Sequence, residues 1–290
     1  MPELPEIETI VEGAKKSLIG KKIKNVEIRV PKLVNFLVKE FKKGSIGAEI
    51  KNIRRFAKII VIDLSSGNSI LIHLKLTGQL VYVGKGKNGE IEKGIGGHLS
   101  KIYEQPLPHK HTHVIFEFSD GSHLYFNDIM KFGYLKLVKT LQVSERPEIK
   151  NLGPEPLDGW SYNQFLEKLN RRPRSKIKQV LMDQKFVSGI GNIYANEILF
   201  HAKVRPLHLV GNLTEDQKKK IFKSIKFILK KGIELGGSSE NTYVNLEGKK
   251  GDFMQYAKVY QQKVCKTCGG SLKRIAIGGR GTFYCPSCQA

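Results

Sequence analysis

The sequence predicts a multidomain α+β protein: an N-terminal helix plus an antiparallel β-sandwich, then a helical domain, then a C-terminal zinc-finger β-hairpin. Three observations support this fold class. Short β-rich runs separated by turn sequences fill residues 23–138, helical periodicity extends from about 161 to 235, and all four cysteines lie within 265–288. We therefore divide the chain into a sandwich domain over 1–140, a helical domain over 141–235, and a region over 236–290 that contains a loop and the zinc finger.

One amphipathic helix opens the chain. Apolar residues recur at helical spacing between positions 5 and 19, and Gly20 ends the pattern. The apolar stripe consists of Ile7, Ile10, Val11, Ala14 and Leu18. A stripe of this width predicts a helix that packs one face against a core.

Six β-rich runs follow the helix, and turn sequences such as SSGN and SDGS separate them. The runs occupy 26–30, 59–64, 70–76, 114–118, 123–126 and 134–138. Short alternating runs of this kind are typical of an antiparallel sandwich or barrel. The glycine-rich segment GKGKNGEIEKGIGG at 84–97 interrupts the pattern, and we expect it to form a flexible surface loop.

The sequence NLGPEPLDG at 151–159 marks a domain boundary, because the periodicity becomes helical after it. Helices are predicted near 161–170, 174–184, 192–201 and 214–235. A Gly/Ser/Asn-rich stretch at 236–252 then leads into the cysteine region.

The chain is strongly basic, with 49 lysines and arginines against 27 aspartates and glutamates, a net charge of +22 and a sequence pI near 9.7. Such an excess usually reflects a polyanionic partner, most often nucleic acid, and a basic membrane-surface protein is the alternative. No apolar stretch reaches the roughly 18 residues of a membrane span, and the N-terminus, MPELPEIE, does not resemble a signal peptide. We therefore expect a cytosolic protein that does not enter membranes.

The four cysteines form two pairs, Cys265-x2-Cys268 and Cys285-x2-Cys288, with sixteen residues between the pairs. This spacing is typical of two thiolate pairs that enclose a tetrahedral zinc ion, and four thiolates leave no open coordination position. The predicted zinc is therefore structural. The runs LKRIAI and TFY predict a hairpin with Arg280 at its tip, where we expect it to enter a groove of nucleic acid; a solvated turn residue is the alternative.

A second basic element precedes a helix start. In RRPRSKIK at 171–178, five of the eight side chains are cationic, and Gly189-Ile190-Gly191-Asn192 opens the next helix. Backbone N–H groups at a helix start bind phosphate, and Asn192 adds a side-chain donor. A solvated basic face and a simple helix cap at Asn192 are the alternatives.

The N-terminus carries the residues with the strongest chemical implication. Removal of Met1 would leave Pro2 with a secondary amine of pKa near ~8, which is partly unprotonated at neutral pH. Such an amine can attack a sugar C1′ and form a Schiff base, while Glu3 and Glu6 beside it can move protons. The alternative is structural, because proline and glutamate also favour the first turn of a helix.

These motifs together resemble the formamidopyrimidine-DNA glycosylase family, over essentially the whole chain and in the same order. The matching sequences are MPELPEIET at 1–9, RRFAK at 54–58, IHLKLTG at 72–78, NLGPEP at 151–156, LMDQKFVSGIGNIYANE at 181–197 and the C-terminal RGTFYCPSCQ. The resemblance implies a β-sandwich, a helix-two-turns-helix domain and a zinc finger. It also implies a base-excision repair enzyme that removes oxidised purines from double-stranded DNA and then cleaves the strand as an AP lyase.

The resemblance implies roles for individual residues. Pro2 would be the nucleophile, Glu3 the acid-base group that helps to open the deoxyribose ring, and Glu6 the residue that orders the helix start and the attacking amine. Lys58 is counted with these catalytic residues and would meet a phosphate beside the lesion. The other expected DNA contacts are His73, Lys131, Asn192 and Arg280. The implied protein is a monomer in a bacterial-type cytosol, associated with the nucleoid when bound to DNA, and it needs one structural zinc ion and no other cofactor.

Two features depart from the family pattern. The residues that fill the space left by the extruded base are usually Met, Arg and Phe, and the matching positions here are Leu76, Met130 and Phe132. Methionine cannot donate the hydrogen bonds with which arginine recognises the unpaired cytosine. The segment 236–252, which would cover the extruded base, also differs from the pattern.

Two other functions remain open at this point. A Nei-like glycosylase shares the nucleophile and prefers oxidised pyrimidines, but PELPE in place of PEGPE favours the purine-specific branch. A non-catalytic zinc-ribbon protein that only binds nucleic acid is the second alternative. Binding alone does not require Pro2, Glu3, Glu6 and Lys58, so these residues favour the enzyme.

Overall fold

The computed structural model describes residues 1–34, 37–85, 90–98, 100–238, 243–244 and 251–290. Contacts between residues divide the chain into two units. The first consists of residues 1–150 and 236–252, and the second of residues 151–235 and 253–290. Of the predicted covering segment 236–252, residues 239–242 and 245–250 lie outside the described residues.

The first unit contains helix α1, Leu4–Leu18, and two antiparallel sheets. The six-stranded sheet has the order β1-β7-β8-β5-β6-β10, and its strands are Ile23–Ile28, Thr112–Phe118, His123–Asp128, Gly78–Lys85, Ile91–His98 and Tyr243–Val244. The four-stranded sheet has the order β2-β3-β4-β9, and its strands are Ile50–Phe56, Ile59–Leu64, Asn68–His73 and Tyr134–Lys139. The predicted N-terminal helix and antiparallel sandwich are confirmed.

Strand β3 shows why its sequence, IIVIDL, is a continuous apolar run. All six of its residues are buried. Ile60 and Ile62 lie in the main core, which also contains the apolar stripe of α1, while Ile59 and Val61 pack on the other side of the sheet. Two short helices complete this unit, α2 at Val38–Ser45 and α3 at Pro147–Lys150.

The glycine-rich segment 84–97 is not the flexible loop that its composition predicts. Strands β5 and β6 pair along most of it, and residues 86–89 lie outside the described residues. The glycines serve close packing: a Cβ on Gly84 would overlap the Tyr82 hydroxyl, and a Cβ on Gly97 would lie 2.6 Å from the Gly78 carbonyl oxygen. At these two positions glycine therefore allows a close approach of a side chain or a backbone within paired strands.

The second unit contains five α-helices and one hairpin among its described residues. The helices are α4 at Tyr162–Asn170, α5 at Ile177–Met182, α6 at Asn192–His201, α7 at Glu215–Glu234 and α8 at Phe253–Tyr256, and the hairpin strands are β11 at Lys273–Ile277 and β12 at Arg280–Tyr284. Trp160 is 2% exposed and packs against Phe165, Phe186 and Phe222 at ring distances of 5.5–6.1 Å. The four predicted helices and the cysteine hairpin are all present.

Helix α7 is the longest helix in the described part of the chain, at 20 residues, and it carries seven lysines. No helix among the described residues is both long enough and apolar enough to cross a membrane.

Candidate functional site

Met1 is exposed, but the residues that follow it are buried. Met1 is 53% exposed, whereas Pro2 is buried, and Glu3 and Glu6 are 3% and 2% exposed. Glu6 Oε2 accepts a hydrogen bond from the Glu3 backbone N–H at 2.8 Å. Pro5 occupies the first turn of α1, where its missing N–H is not needed. Helix α1 therefore begins two residues after Pro2, and the buried Glu6 carboxylate holds the backbone N–H of the residue that follows Pro2.

Glu6 also binds the segment that follows residue 235. Its Oε1 accepts hydrogen bonds from the Ser238 backbone N–H at 2.7 Å and the Ser238 hydroxyl at 2.9 Å. Gly237 has φ +89°, and a Cβ there would lie 3.0 Å from Glu6 Cγ, so the close approach requires glycine. One buried carboxylate thus joins the start of the chain to the first residues of the predicted covering segment.

Lys58 lies in a two-residue turn between β2 and β3 and is 6% exposed. Ala57 before it has φ +50°, and its carbonyl oxygen accepts a hydrogen bond from Arg55 Nη1 at 3.0 Å. Arg55 Nε in turn donates to Glu8 Oε2 on α1 at 2.6 Å. The RRFAK motif therefore connects this turn to the helix that carries Glu3 and Glu6.

His73 lies at the end of β4 and within the electrostatic influence of Lys58. Burial, together with the positive charges of Lys75 and Lys58, lowers the pKa of His73 to about 3. The imidazole is therefore neutral at physiological pH, and its Nδ1 accepts a hydrogen bond from the Lys75 backbone N–H at 3.0 Å. Lys131, which is exposed, lowers the pKa of His111 and of His113, for each of which burial is the larger cause.

Three large apolar side chains are exposed on two loops of the first unit. Leu76 is 45% exposed, Met130 44% and Phe132 55%. Leu76 lies between β4 and β5, and the other two lie between β8 and β9. Burying them against a partner would be favourable, so the two loops have the character of a binding surface.

In the second unit, Asn192 is the first residue of α6, but it does not cap that helix. The N-cap is Gly191, and the Asn192 side chain is bound elsewhere. Its Nδ2 donates to the Gly281 carbonyl oxygen at 3.1 Å, and its Oδ1 accepts from Lys178 Nζ at 2.7 Å. Asn192 thus connects the helix start to the cysteine hairpin.

Lys178 is fully buried, at 0% exposed, within the basic run 171–178. Its three N–H donors reach Asn192 Oδ1, the Gly281 carbonyl oxygen at 3.1 Å and Thr282 Oγ1 at 2.7 Å. Each donor of the ammonium group thus has a partner, which is the condition for burying such a charge. Lys178 therefore does not belong to a solvated basic face, whereas Arg174 in the same run is exposed to solvent.

Arg280 is exposed and begins β12. Gly278 and Gly279, with φ of 57° and 71°, form the two-residue turn between β11 and β12, which is the turn type that matches the strand twist. Arg280 pairs with Ile277, next to the turn. Arg280, which the sequence predicts at the hairpin tip, therefore lies on a paired strand next to the turn.

The four cysteines lie together, with their sulfur atoms within 4.8 Å of one another. The Sγ atoms of Cys265 and Cys288 are 3.9 Å apart, and those of Cys268 and Cys285 are 3.5 Å apart. A tetrahedral zinc with bonds of about 2.3 Å places its sulfurs roughly 3.8 Å apart. The donor set therefore fits one structural zinc ion.

Two buried polar side chains fix the cysteine module to the helical part of the same unit. Gln289 accepts from the Cys285 N–H at 2.9 Å and donates to the Val204 carbonyl oxygen at 2.7 Å. Glu197 on α6 accepts three backbone N–H groups, at residues 258–260, at 2.7–2.9 Å. Burial raises the pKa of Glu197, and the three N–H donors oppose this rise.

Three buried residues are not evident from local sequence: Lys178, which holds Asn192 and the hairpin, and Asp128 and Tyr103, which hydrogen-bond the loops that carry Leu76, Met130 and Phe132. Lys178 stands inside the apolar run Ile177-Lys178-Gln179-Val180-Leu181, and that position was the available indication of burial. Asp128 directly follows the β-rich run HLYFN. For Tyr103 the sequence offered no indication.

The chain is similar to known proteins over its full length. Residues 1–135 match the family described as formamidopyrimidine-DNA glycosylase N-terminal domain, residues 152–244 its H2TH domain, and residues 262–290 the zinc finger found in FPG and IleRS. Two curated relatives, each named formamidopyrimidine-DNA glycosylase, come from Desulforamulus reducens and Listeria monocytogenes. Both are 38% identical to this chain over its whole length, which covers 99% and 100% of the respective relatives.

Solved structures of Lactococcus lactis Fpg match as well. A complex with DNA that contains an abasic site superposes with a TM-score of 0.85 at 32% identity, and a mutant complex with Fapy-dG DNA with a TM-score of 0.86 at 33% identity. Each alignment covers 99% of both chains.

Proposed function

Because this chain belongs to the formamidopyrimidine-DNA glycosylase family, we propose that it is a bifunctional base-excision repair enzyme that removes oxidised purines from double-stranded DNA and cleaves the strand at the abasic site. Its substrates are 8-oxoguanine and formamidopyrimidines. The burial of Pro2 next to the buried Glu3, whose backbone N–H is held by the buried Glu6, carries the proposal. Glu3 and Glu6 also form a capping box at the start of α1, a structural role that does not involve the Pro2 amine.

The reaction starts at Pro2, after removal of Met1. The amine lone pair forms a bond to C1′ as the glycosidic bond breaks. The base leaves with the electron pair of the glycosidic bond and takes up the proton that the Pro2 nitrogen loses. Glu3 donates a proton to O4′ as the C1′–O4′ bond breaks, which leaves an iminium between Pro2 and the open sugar. Loss of a C2′ proton then expels the 3′ phosphate, and a second elimination expels the 5′ phosphate.

Glu6 positions these groups without reacting. Its two oxygens accept three hydrogen bonds, from the Glu3 N–H and from the N–H and hydroxyl of Ser238. These three bonds fix the orientation of the Glu6 carboxylate. It holds the chain start against the segment proposed to cover the extruded base.

The proposed DNA contacts come from both units. In the first, Lys58, His73 and Lys131 meet phosphates near the lesion, and neutral His73 does so as a hydrogen-bonding group. In the second, Asn192 and Arg280 meet the backbone, positioned by Lys178 and by the hairpin. Leu76, Met130 and Phe132 fill the space that the extruded base leaves, because apolar side chains between base steps hold the duplex open.

One structural zinc ion completes the protein by fixing the hairpin that carries Arg280. The substrate is chromosomal DNA, so we place the enzyme in the cytosol with the nucleoid, where it acts as a monomer.

Borohydride trapping tests this function. The protein, with its N-terminus verified by mass spectrometry, is incubated with duplex DNA containing 8-oxoguanine and with borohydride. A covalent complex on Pro2 is expected. Pro2→Gly should slow base release by about a thousandfold or more, and Glu3→Gln by about 10²- to 10⁴-fold with DNA affinity retained.

Glu12→Gln is the matched control, since Glu12 is exposed on the same helix. It should react at the wild-type rate. A complex trapped on a lysine, together with full activity of Pro2→Gly, would contradict the assignment.

A further inference from the structure

A network of buried polar groups joins the two loops that carry Leu76, Met130 and Phe132. These loops are residues 74–78 and 129–133, and they come from different parts of the chain. Their exposed apolar side chains need a fixed common direction to act together, because a mobile side chain loses entropy when it is inserted. The network therefore bears on whether the two loops behave as one element.

Asp128 is the centre of this network and is 0% exposed. One carboxylate oxygen accepts from the Thr77 hydroxyl and from the Met130 N–H at 3.2 Å, and the other accepts from the Gly133 N–H at 2.7 Å. Thr77 Oγ1 also accepts from the Met130 N–H at 3.0 Å. The carboxylate thus binds both ends of loop 129–133 and the last turn of loop 74–78.

Tyr103 makes the second connection and is 7% exposed. Its hydroxyl donates to the Thr77 carbonyl oxygen at 2.6 Å and accepts from the Ile129 N–H at 3.0 Å, so one oxygen bridges the main chains of both loops. The ring stacks on His109 at 5.6 Å, which fixes its orientation. Burial raises the pKa of Tyr103, so the hydroxyl remains a proton donor at physiological pH.

The backbone of both loops needs such support. Lys75 and Lys131 have φ of 52° and 56°, and each immediately precedes an exposed apolar residue, Leu76 and Phe132. This left-handed conformation is unfavourable for residues with a side chain and persists where surrounding contacts hold it. Gly133 is also constrained, since a Cβ there would lie 2.8 Å from Phe126 Cζ.

We propose that Tyr103 and Asp128 are positioning residues that hold loops 74–78 and 129–133 as one rigid wedge, which keeps the target base out of the duplex. This proposal rests on the glycosylase function proposed above. Neither residue touches the reacting atoms; both act through Leu76, Met130 and Phe132. Tyr103 bonds only main-chain groups of the loops, so it sets their separation whatever side chains they carry.

Tyr103→Phe is the test, because it removes the bridging oxygen and keeps the ring on His109. Two single-turnover rates are measured at saturating enzyme: excision of 8-oxoguanine paired with cytosine, and cleavage of the same duplex with an abasic site. The first requires extrusion of a paired base and the second does not. Excision should slow about tenfold, since two hydrogen bonds are lost, while abasic-site cleavage stays within about twofold of wild type.

Thr77→Val should also slow excision and leave abasic-site cleavage nearly unchanged, because it removes the hydroxyl that bridges Asp128 and Met130. The fluorescence of 2-aminopurine next to the lesion should rise less on binding of either variant, as it reports unstacking. Tyr125→Phe is the matched control, because it makes the same change at another buried tyrosine, on β8, and both of its rates should remain at the wild-type value.

Equal slowing of both reactions in Tyr103→Phe, or no slowing, would overturn the wedge proposal. Wild-type protein that acts on neither substrate would contradict the glycosylase function itself, so the two failures are distinguishable.

Discussion

In the first unit a buried anion, Glu6, fixes the start of the chain, whereas in the second unit a buried cation, Lys178, fixes a hairpin near the opposite end. Glu6 accepts hydrogen bonds from backbone and hydroxyl donors at residues 3 and 238. Lys178 donates to the oxygens of Asn192, Gly281 and Thr282. In each unit one ionisable group with three hydrogen bonds holds segments that are distant in sequence.

The two devices depend on different surroundings. The Glu6 site lies on a helix that packs into a sandwich core, and it needs no metal. The Lys178 site depends on a hairpin whose ends are held by the four cysteines. Chemistry in the first unit should therefore be separable from DNA affinity contributed by the second.

Loss of zinc should have the largest effect, and it should affect the DNA affinity contributed by the second unit without affecting the chemistry of the first. Structural zinc contributes roughly 10 to 16 kcal/mol to folding of such modules, so Cys285→Ser or chelation should unfold the hairpin. Without Asn192 and Arg280 in place, affinity for duplex DNA should fall about a hundredfold in a fluorescence-anisotropy titration. Borohydride trapping at saturating DNA should persist, because Pro2 lies in the other unit.

Ser287→Ala, between two zinc ligands, is the control and should retain both zinc and affinity. Unchanged affinity in a protein shown to have lost its zinc would mean that the hairpin does not contact DNA.

A smaller effect is expected from Lys178→Met, which keeps the length of the side chain and removes its donors. Asn192 Oδ1 and Thr282 Oγ1 lose a donor, and the Gly281 carbonyl oxygen keeps only its bond from Asn192 Nδ2. We expect the second unit to lose about 2 to 4 kcal/mol of unfolding free energy. Trp160 is the only tryptophan in the chain and belongs to this unit, so its fluorescence in a urea titration reports the change directly.

The exposed Lys263 provides the control, as Lys263→Met should shift the midpoint little. If both variants unfold at the same urea concentration, Lys178 is not the anchor of the hairpin.

Apolar periodicity and ligand spacing predicted most of the architecture from sequence. The stripe in α1, the run IIVIDL and the CxxC pairs each depend on local spacing, and local spacing is what a sequence displays directly. The strands that contain Gly84 and Gly97 were missed, because the reason for those glycines is a neighbouring strand that the local sequence does not reveal.

In the candidate site, too, the sequence predicted the residues that stand in local motifs and missed those that act through contacts distant in sequence. Pro2, Glu3 and the cysteines stand in motifs, so their chemistry can be inferred without a fold. Lys178 bonds to Gly281 and Thr282, which lie 103 and 104 positions further along the chain. Tyr103 bonds to Thr77 and Ile129, each of which lies 26 positions away. Contacts at such separations depend on the folded chain, and a residue's type does not disclose them.

The smallest predicted effect concerns preference for the base opposite the lesion. It separates recognition of that base, at Met130, from the reaction at Pro2, both of which belong to the first unit. Met130 is 44% exposed, and its backbone N–H is held by Thr77 and Asp128. Its position on the loop is therefore set by the main chain, and a different side chain can be presented from the same place. Reaction chemistry at Pro2 should not depend on that side chain.

Arginine at this position would donate hydrogen bonds to an unpaired cytosine, and such polar contacts discriminate between bases by roughly 1 to 3 kcal/mol. Methionine packs on any base face with little selectivity. We therefore expect wild-type excision of 8-oxoguanine to differ little opposite C, A, G and T in single-turnover assays. Met130→Arg should favour cytosine by about 5- to 100-fold, with Met130→Leu unchanged as the control. A strong cytosine preference in the wild type that Met130→Arg leaves unaltered would place recognition of the unpaired base at another residue.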